Sequence, residues 1–122
     1  MCALIDWGNG GCVADIKQKY VRNIAESAKT CGTIDRIVLF GSATQARCTA
    51  ASDIDIAVFG KKPVNSYLRS PEFKRFQRNV VSFENDFSQD YDILYFCVND
   101  PADAPILRDI AHGTEVYRRD AQ

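Results

Sequence analysis

Three acidic side chains and one glycine-serine turn are the residues of this chain best suited to chemistry. Asp53 and Asp55 stand one residue apart at the head of the apolar run Asp53-Ile-Asp-Ile-Ala-Val-Phe59. Alternate residues of a strand share a face, so both carboxylates project to one side while Ile54, Ile56 and Val58 turn towards a core. Two carboxylates fixed at a strand end suit a divalent cation with oxygen ligands. Upstream, the strand-like Ile37-Val-Leu-Phe40 runs into Gly41-Ser42, a turn whose backbone N–H groups can face a phosphate. The combination reads as metal plus nucleotide.

A third acid, Asp92, lies inside the apolar run Tyr91-Asp-Ile-Leu-Tyr-Phe96. Asp90 competes for the same role, two residues earlier on the same face but at the polar edge of the run. A D-x-D pair alone is also compatible with a solvated strand face. If the two acid-bearing strands are neighbours, Asp92 converges on Asp53 and Asp55. Two carboxylates ~4 Å apart repel by about 4 kcal/mol at an effective dielectric of about 20. A domain is stable by only ~5–15 kcal/mol, so such a trio calls for cations or proton uptake.

The elements that must position these groups follow from periodicity. Residues 1–12 read as an arm without regular structure, broken by Gly8-Asn-Gly-Gly11; it either lies over the domain, is partly disordered, or docks a partner through Trp7. From Val13 to Thr30, Val13, Ile16, Tyr20, Ile24 and Ala28 recur at helical spacing, with Lys17, Lys19, Arg22 and Glu26 on the opposite face and Gly32 at the stop. Ile34 to Phe40 predicts a strand covered on both faces. Ser42 is placed to cap a short helix over Ala43-Thr-Gln-Ala46, and a polar loop from Arg47 to Ser52 leads into the acid-bearing strand.

Ser70-Pro71-Glu72 is a helix start, followed by Phe73, Phe76, Val80, Phe83 and Phe87 as a core stripe or, alternatively, a set of ligand-stacking rings. Asp100 to Pro105 reads as a loop, Pro105 to Gly113 as a helix with Ile106, Leu107 and Ile110 inward, and Glu115 to Tyr117 as a last strand. Strands and helices alternating around one sheet give an α/β (α+β) two-layer domain over residues 13–118, with a tail at 119–122.

The 122 residues suffice for one domain with one core, and the 46% hydrophobic and 25% charged content is that of a globular chain. A net charge of −1 lacks the basic excess that non-specific binding to nucleic acid or an anionic membrane surface needs. No apolar run approaches the ~20 residues of a membrane span. Met1-Cys-Ala-Leu-Ile-Asp6 has neither the basic start nor the apolar length of a signal peptide, so a cytoplasmic location is expected. Five cysteines without a CxxC pair, beside a single histidine, read as reduced packing thiols rather than a zinc site.

Gly41-Ser42, Asp53-Ile-Asp55 and the later strand acid Asp92 together resemble the DNA polymerase beta-like nucleotidyltransferase superfamily. Length and helix placement look like its minimal members, antitoxin-type proteins paired with HEPN-domain toxins. The resemblance implies a small mixed β-sheet with helices packed on it. It implies that Asp53, Asp55 and Asp92 hold two Mg²⁺ ions on a nucleoside triphosphate, with Asp92 also taking the proton of an incoming hydroxyl. Gly41 and Ser42, with Arg47 and Ser52, would bind the nucleotide, ATP. The acceptor would be a tyrosine of the toxin, which AMP transfer silences. Ala43 and Ala46 depart from the pattern, standing where many relatives carry a basic residue and a glycine; Arg47, or Lys61 and Lys62, would supply the missing charge. The competing readings are an antitoxin that acts by docking alone and a transferase for small molecules of aminoglycoside type. No membrane or specific nucleic-acid partner is expected, and a homo-oligomer is possible.

Overall fold

The computed structural model describes residues 2–8, 11–97 and 110–119. Its centre is a four-stranded mixed sheet built from β3 (Ile34–Phe40), β4 (Ile54–Gly60), β5 (Tyr91–Cys97) and β6 (Thr114–Arg118), in the order β5-β4-β3-β6. Strand β3 pairs antiparallel with β4 and with β6, whereas β4 and β5 run parallel. A parallel pair needs a crossover, and the chain between β4 and β5 supplies it with α2 (Val64–Leu68) and α3 (Pro71–Val81). The α/β expectation of a mixed sheet with helices packed on it is met.

Helix α1 (Gln18–Lys29) packs with α3 on one face of the sheet. Tyr20, Val21, Ile24 and Ala28 of α1 and Phe73, Phe76 and Val80 of α3 meet Ile37, Leu39, Ile54, Ile56 and Val58 in one core cluster. Ser70 caps α3 as its sequence requires, its hydroxyl accepting from the Phe73 N–H at 3.2 Å, with Pro71 in the first turn. On the other face of the sheet a smaller apolar cluster joins Val38, Phe40, Ala57 and Ile110. Alternation along β4 and β5 puts Asp53, Asp55 and Asp92 on the side of this smaller cluster, away from the helices.

Four local readings need correction. The first residues are not irregular: β1 (Leu4–Gly8) and β2 (Gly11–Ala14) pair antiparallel, and the sequence that links them, Asn9-Gly10, is a dipeptide type favoured in two-residue hairpin connections. Trp7 packs against the molecule's own core, with the Arg22 guanidinium 5.6 Å from its ring. Strand β2 claims Val13 and Ala14, so the helix starts later, after a 3₁₀ turn at Asp15–Lys17. That shift in phase exposes Ile16 and buries Lys17, the reverse of the expected faces.

The aromatic stripe also ends early. After α3 the backbone turns through Glu84 and Asn85 at φ 55° and 56°, helical periodicity lapses, and Phe87 is left 72% exposed. The turn after β3 is a 3₁₀ helix at Gly41–Thr44 with no side-chain cap, so Ser42 does not cap a helix over 43–46. The expected loop at 100–105 and most of the helix at 105–113 lie outside the described residues; Ile110, near the end of that segment, is buried as expected. Among the described residues no helix is long and apolar enough to cross a membrane.

Candidate active site

Strand register decides which acids meet. In the parallel ladder Asp55 is the Cα partner of Asp92, with Ile54 opposite Tyr91 and Ile56 opposite Ile93. Adjacent parallel strands lie roughly 4.8 Å apart, so the two carboxylates share one short stretch of sheet edge. Asp53 precedes β4 and is exposed, as is Asp92; Asp55 is half-buried. Burial raises the Asp55 carboxyl above its usual range, and the charges of Asp92 and then Asp53 push it the same way. The main-chain carbonyl of the competing acid, Asp90, accepts from the Ile54 N–H at 3.0 Å, which joins the mouths of β4 and β5, and the residue is exposed.

Gly41 brings the turn against this acid. Its φ of +75° is open to glycine, and a Cβ there would collide with Asp55 Oδ2. Phe40 is the antiparallel partner of Asp55, so the end of β3 delivers Gly41 to that carboxylate directly. Thr44 closes the turn by donating its hydroxyl to the Gly41 carbonyl at 2.8 Å.

A cavity of about 330 Å³ opens here, lined among others by Gly41, Thr44, Gln45, Arg47, Asp55 and His112. Arg47 is exposed and its Nε donates to Gln45 Oε1, so a cation does border the cleft. Lys61 and Lys62 cannot take that part. They follow Gly60 at the far end of β4, roughly 20 Å from its acidic end at ~3.3 Å per residue. Ser42 is half-buried in the turn. The Ser52 hydroxyl is turned into its own loop, where it accepts from the Thr49 N–H at 2.9 Å. Ala43 is fully buried, so a basic side chain could not occupy that place without displacing core atoms.

His112, Thr44 and Gln45 were not singled out by sequence. The single histidine carries no motif, and only the fold carries it to the cleft mouth. Lys17 was assigned to solvent but is 1% exposed, and burial lowers its ammonium below the usual lysine range, against the opposing charges of neighbours that include Asp53.

Among the described residues, no three His, Cys, Asp or Glu side chains form a ready-made metal cage. The donor set nevertheless suits Mg²⁺, which binds through one or two carboxylates and completes its shell with water and substrate phosphates. The upward push on Asp55 from its neighbouring acids is the charge imbalance such a cation would relieve. A family model described as Polymerase beta, Nucleotidyltransferase matches residues 22–122. No curated protein sequence matches the chain.

Proposed function

The chain belongs to the polymerase beta nucleotidyltransferase family, and from that premise we propose that it transfers AMP from ATP to a hydroxyl of a partner protein as the antitoxin of a HEPN/MNT toxin–antitoxin pair. The observation that supports a working site is the pairing of Asp55 with Asp92 beside Asp53, at the turn that Gly41 makes. Asp53, Asp55 and Asp92 would hold Mg²⁺, which when bound offsets the charge on the attacking and leaving oxygens. Exposed Asp92 takes the proton of the incoming hydroxyl. Gly41 leaves room for the terminal phosphates against the Asp55 carboxylate, and Arg47 faces them with positive charge. The products are the AMP-modified hydroxyl and pyrophosphate.

Incubation with α-labelled ATP, Mg²⁺ and the product of the neighbouring gene tests this. Label should pass to that product and should vanish with Asp53→Asn. Neutralisation of the partner that survives Asp53→Asn would instead establish a docking antitoxin.

A further inference from the structure

We propose that Lys17 is a positioning residue that clamps the loop before Asp53 to the loop before Asp92 and so sets the spacing of the acidic site. The inference rests on the assignment of those acids as the metal-holding groups, and it extends to a residue in a different element. Lys17 stands at the N-terminal end of α1, on the helix face of the sheet, yet its side chain reaches across to the acidic strand ends. Its Nζ donates to the Ala50 carbonyl at 3.2 Å, the Ser52 carbonyl at 2.8 Å, and Gln89 Oε1. An ammonium has three donors, and these three acceptors use all of them.

Two of the acceptors belong to the segment that ends at Asp53, and the third belongs to the segment that leads to Asp92. Gln89, itself buried, closes the circuit: its Nε2 donates to the Ser52 carbonyl at 3.1 Å and to the Asp90 carbonyl at 2.7 Å. The Ser52 carbonyl therefore accepts from both side chains, and neither strand end can shift without breaking bonds to the other. Adjacent contacts hold the second loop to the same helix turn, with the Tyr20 hydroxyl on Asp86 and Lys19 on Glu84 at 2.9 Å. A buried ammonium is costly unless its donors are filled, and here all three are.

The test compares Lys17→Met, Gln89→Leu and their double variant with the native chain, and with Ile24→Val as a mild core change in the same helix. Two readouts are taken: uptake of Mn²⁺ in the presence of ATP, followed by electron paramagnetic resonance, and kcat against KM for ATP. Lys17→Met should weaken Mn²⁺ uptake and lower kcat by roughly 10–100-fold, the range for residues that orient metal ligands, with KM for ATP moving less. Gln89→Leu should do the same on a smaller scale, and the double variant should lose little more than Lys17→Met alone. If Lys17→Met does not fold, Gln89→Leu carries the prediction.

Native Mn²⁺ uptake and kcat in a folded Lys17→Met, a loss no greater than that of Ile24→Val, or losses that multiply in the double variant would each overturn the clamp. A native chain that takes up no Mn²⁺ and transfers no nucleotide overturns the underlying functional reading, which is a separate outcome from a native chain that works and does not need Lys17.

Discussion

Asp55 and Asp92 face each other as neighbours across two parallel strands, although a helical crossover separates them in the chain. Two acids in that relation repel, and burial of Asp55 adds to the cost. Asp55→Asn should therefore stabilise the metal-free protein at neutral pH while abolishing transfer. The sign follows from the direction of the shift. An acid raised in the fold loses stability as pH climbs from its ordinary value of 3.8 through the raised one, so the gain from Asn is present above that window and disappears below it. Asp55 is partly solvated, and screening limits the gain to a few degrees in Tm, the response to about 1 kcal/mol. Thermal melts in chelator at neutral and acid pH check this; a native-like or lower Tm at neutral pH would contradict it.

Gly41→Ala should damage the site more than the fold. The substitution forces a left-handed backbone onto an L-residue at about 1–2 kcal/mol and drives a methyl group into the Asp55 carboxylate. Gly32→Ala is the matched control, since a Cβ at that position meets nothing within 4 Å. Nucleotide transfer assays on both variants should show a loss of at least about tenfold, or ~1.4 kcal/mol of barrier, for the first and near-native rates for the second.

Glu115 carries the clearest acid-side prediction. Its own burial opposes ionisation, but hydrogen bonds from Arg118 and Arg36, both at 2.7 Å, outweigh that and hold the carboxyl below its ordinary 4.5. Its contribution to stability is therefore complete above pH 4.5 and is lost as pH falls through the depressed value. Glu115→Gln should cost about 1 kcal/mol at neutral pH, with the two unfolding curves converging in acid. Urea titrations across that range decide it, and a constant difference at all pH values would rule it out.

The two ends of the aromatic series should behave oppositely. Phe76 is fully buried beside Phe73, so Phe76→Ala should cost about 3–5 kcal/mol. Phe87→Ser should stay within about 0.5 kcal/mol, because that ring stands in solvent. Denaturant midpoints for the pair test whether the core stops at the end of α3.

The acidic strand ends and the capped helix at Ser70 were legible because each is written in neighbouring residues: a two-residue alternation, a Ser-Pro-Glu start. The convergence of Asp92 on Asp55 depended on strand order, which no local pattern carries, and the resemblance supplied it. Lys17 was misread for a related reason. Helical phase counted from Val13 places it outside, whereas β2 occupies Val13 and restarts the phase at Asp15. The Asn9-Gly10 signal was present and was masked by the surrounding glycines. Phe87 shows the reverse error: spacing continued on paper through a segment where the backbone had left the helix.

The parallel union of β4 with β5 has a consequence for how the molecule is made. Antiparallel β3 and β4 are consecutive in the chain and can pair as soon as both exist, while β5 must wait for the whole crossover to close its loop. Loop closure therefore sets the order expected for the repelling acids: they meet only once the crossover that carries Phe73, Phe76 and Val80 has closed. A nascent or partly unfolded chain keeps Asp55 and Asp92 apart, so competence for catalysis arrives only with the completed tertiary structure.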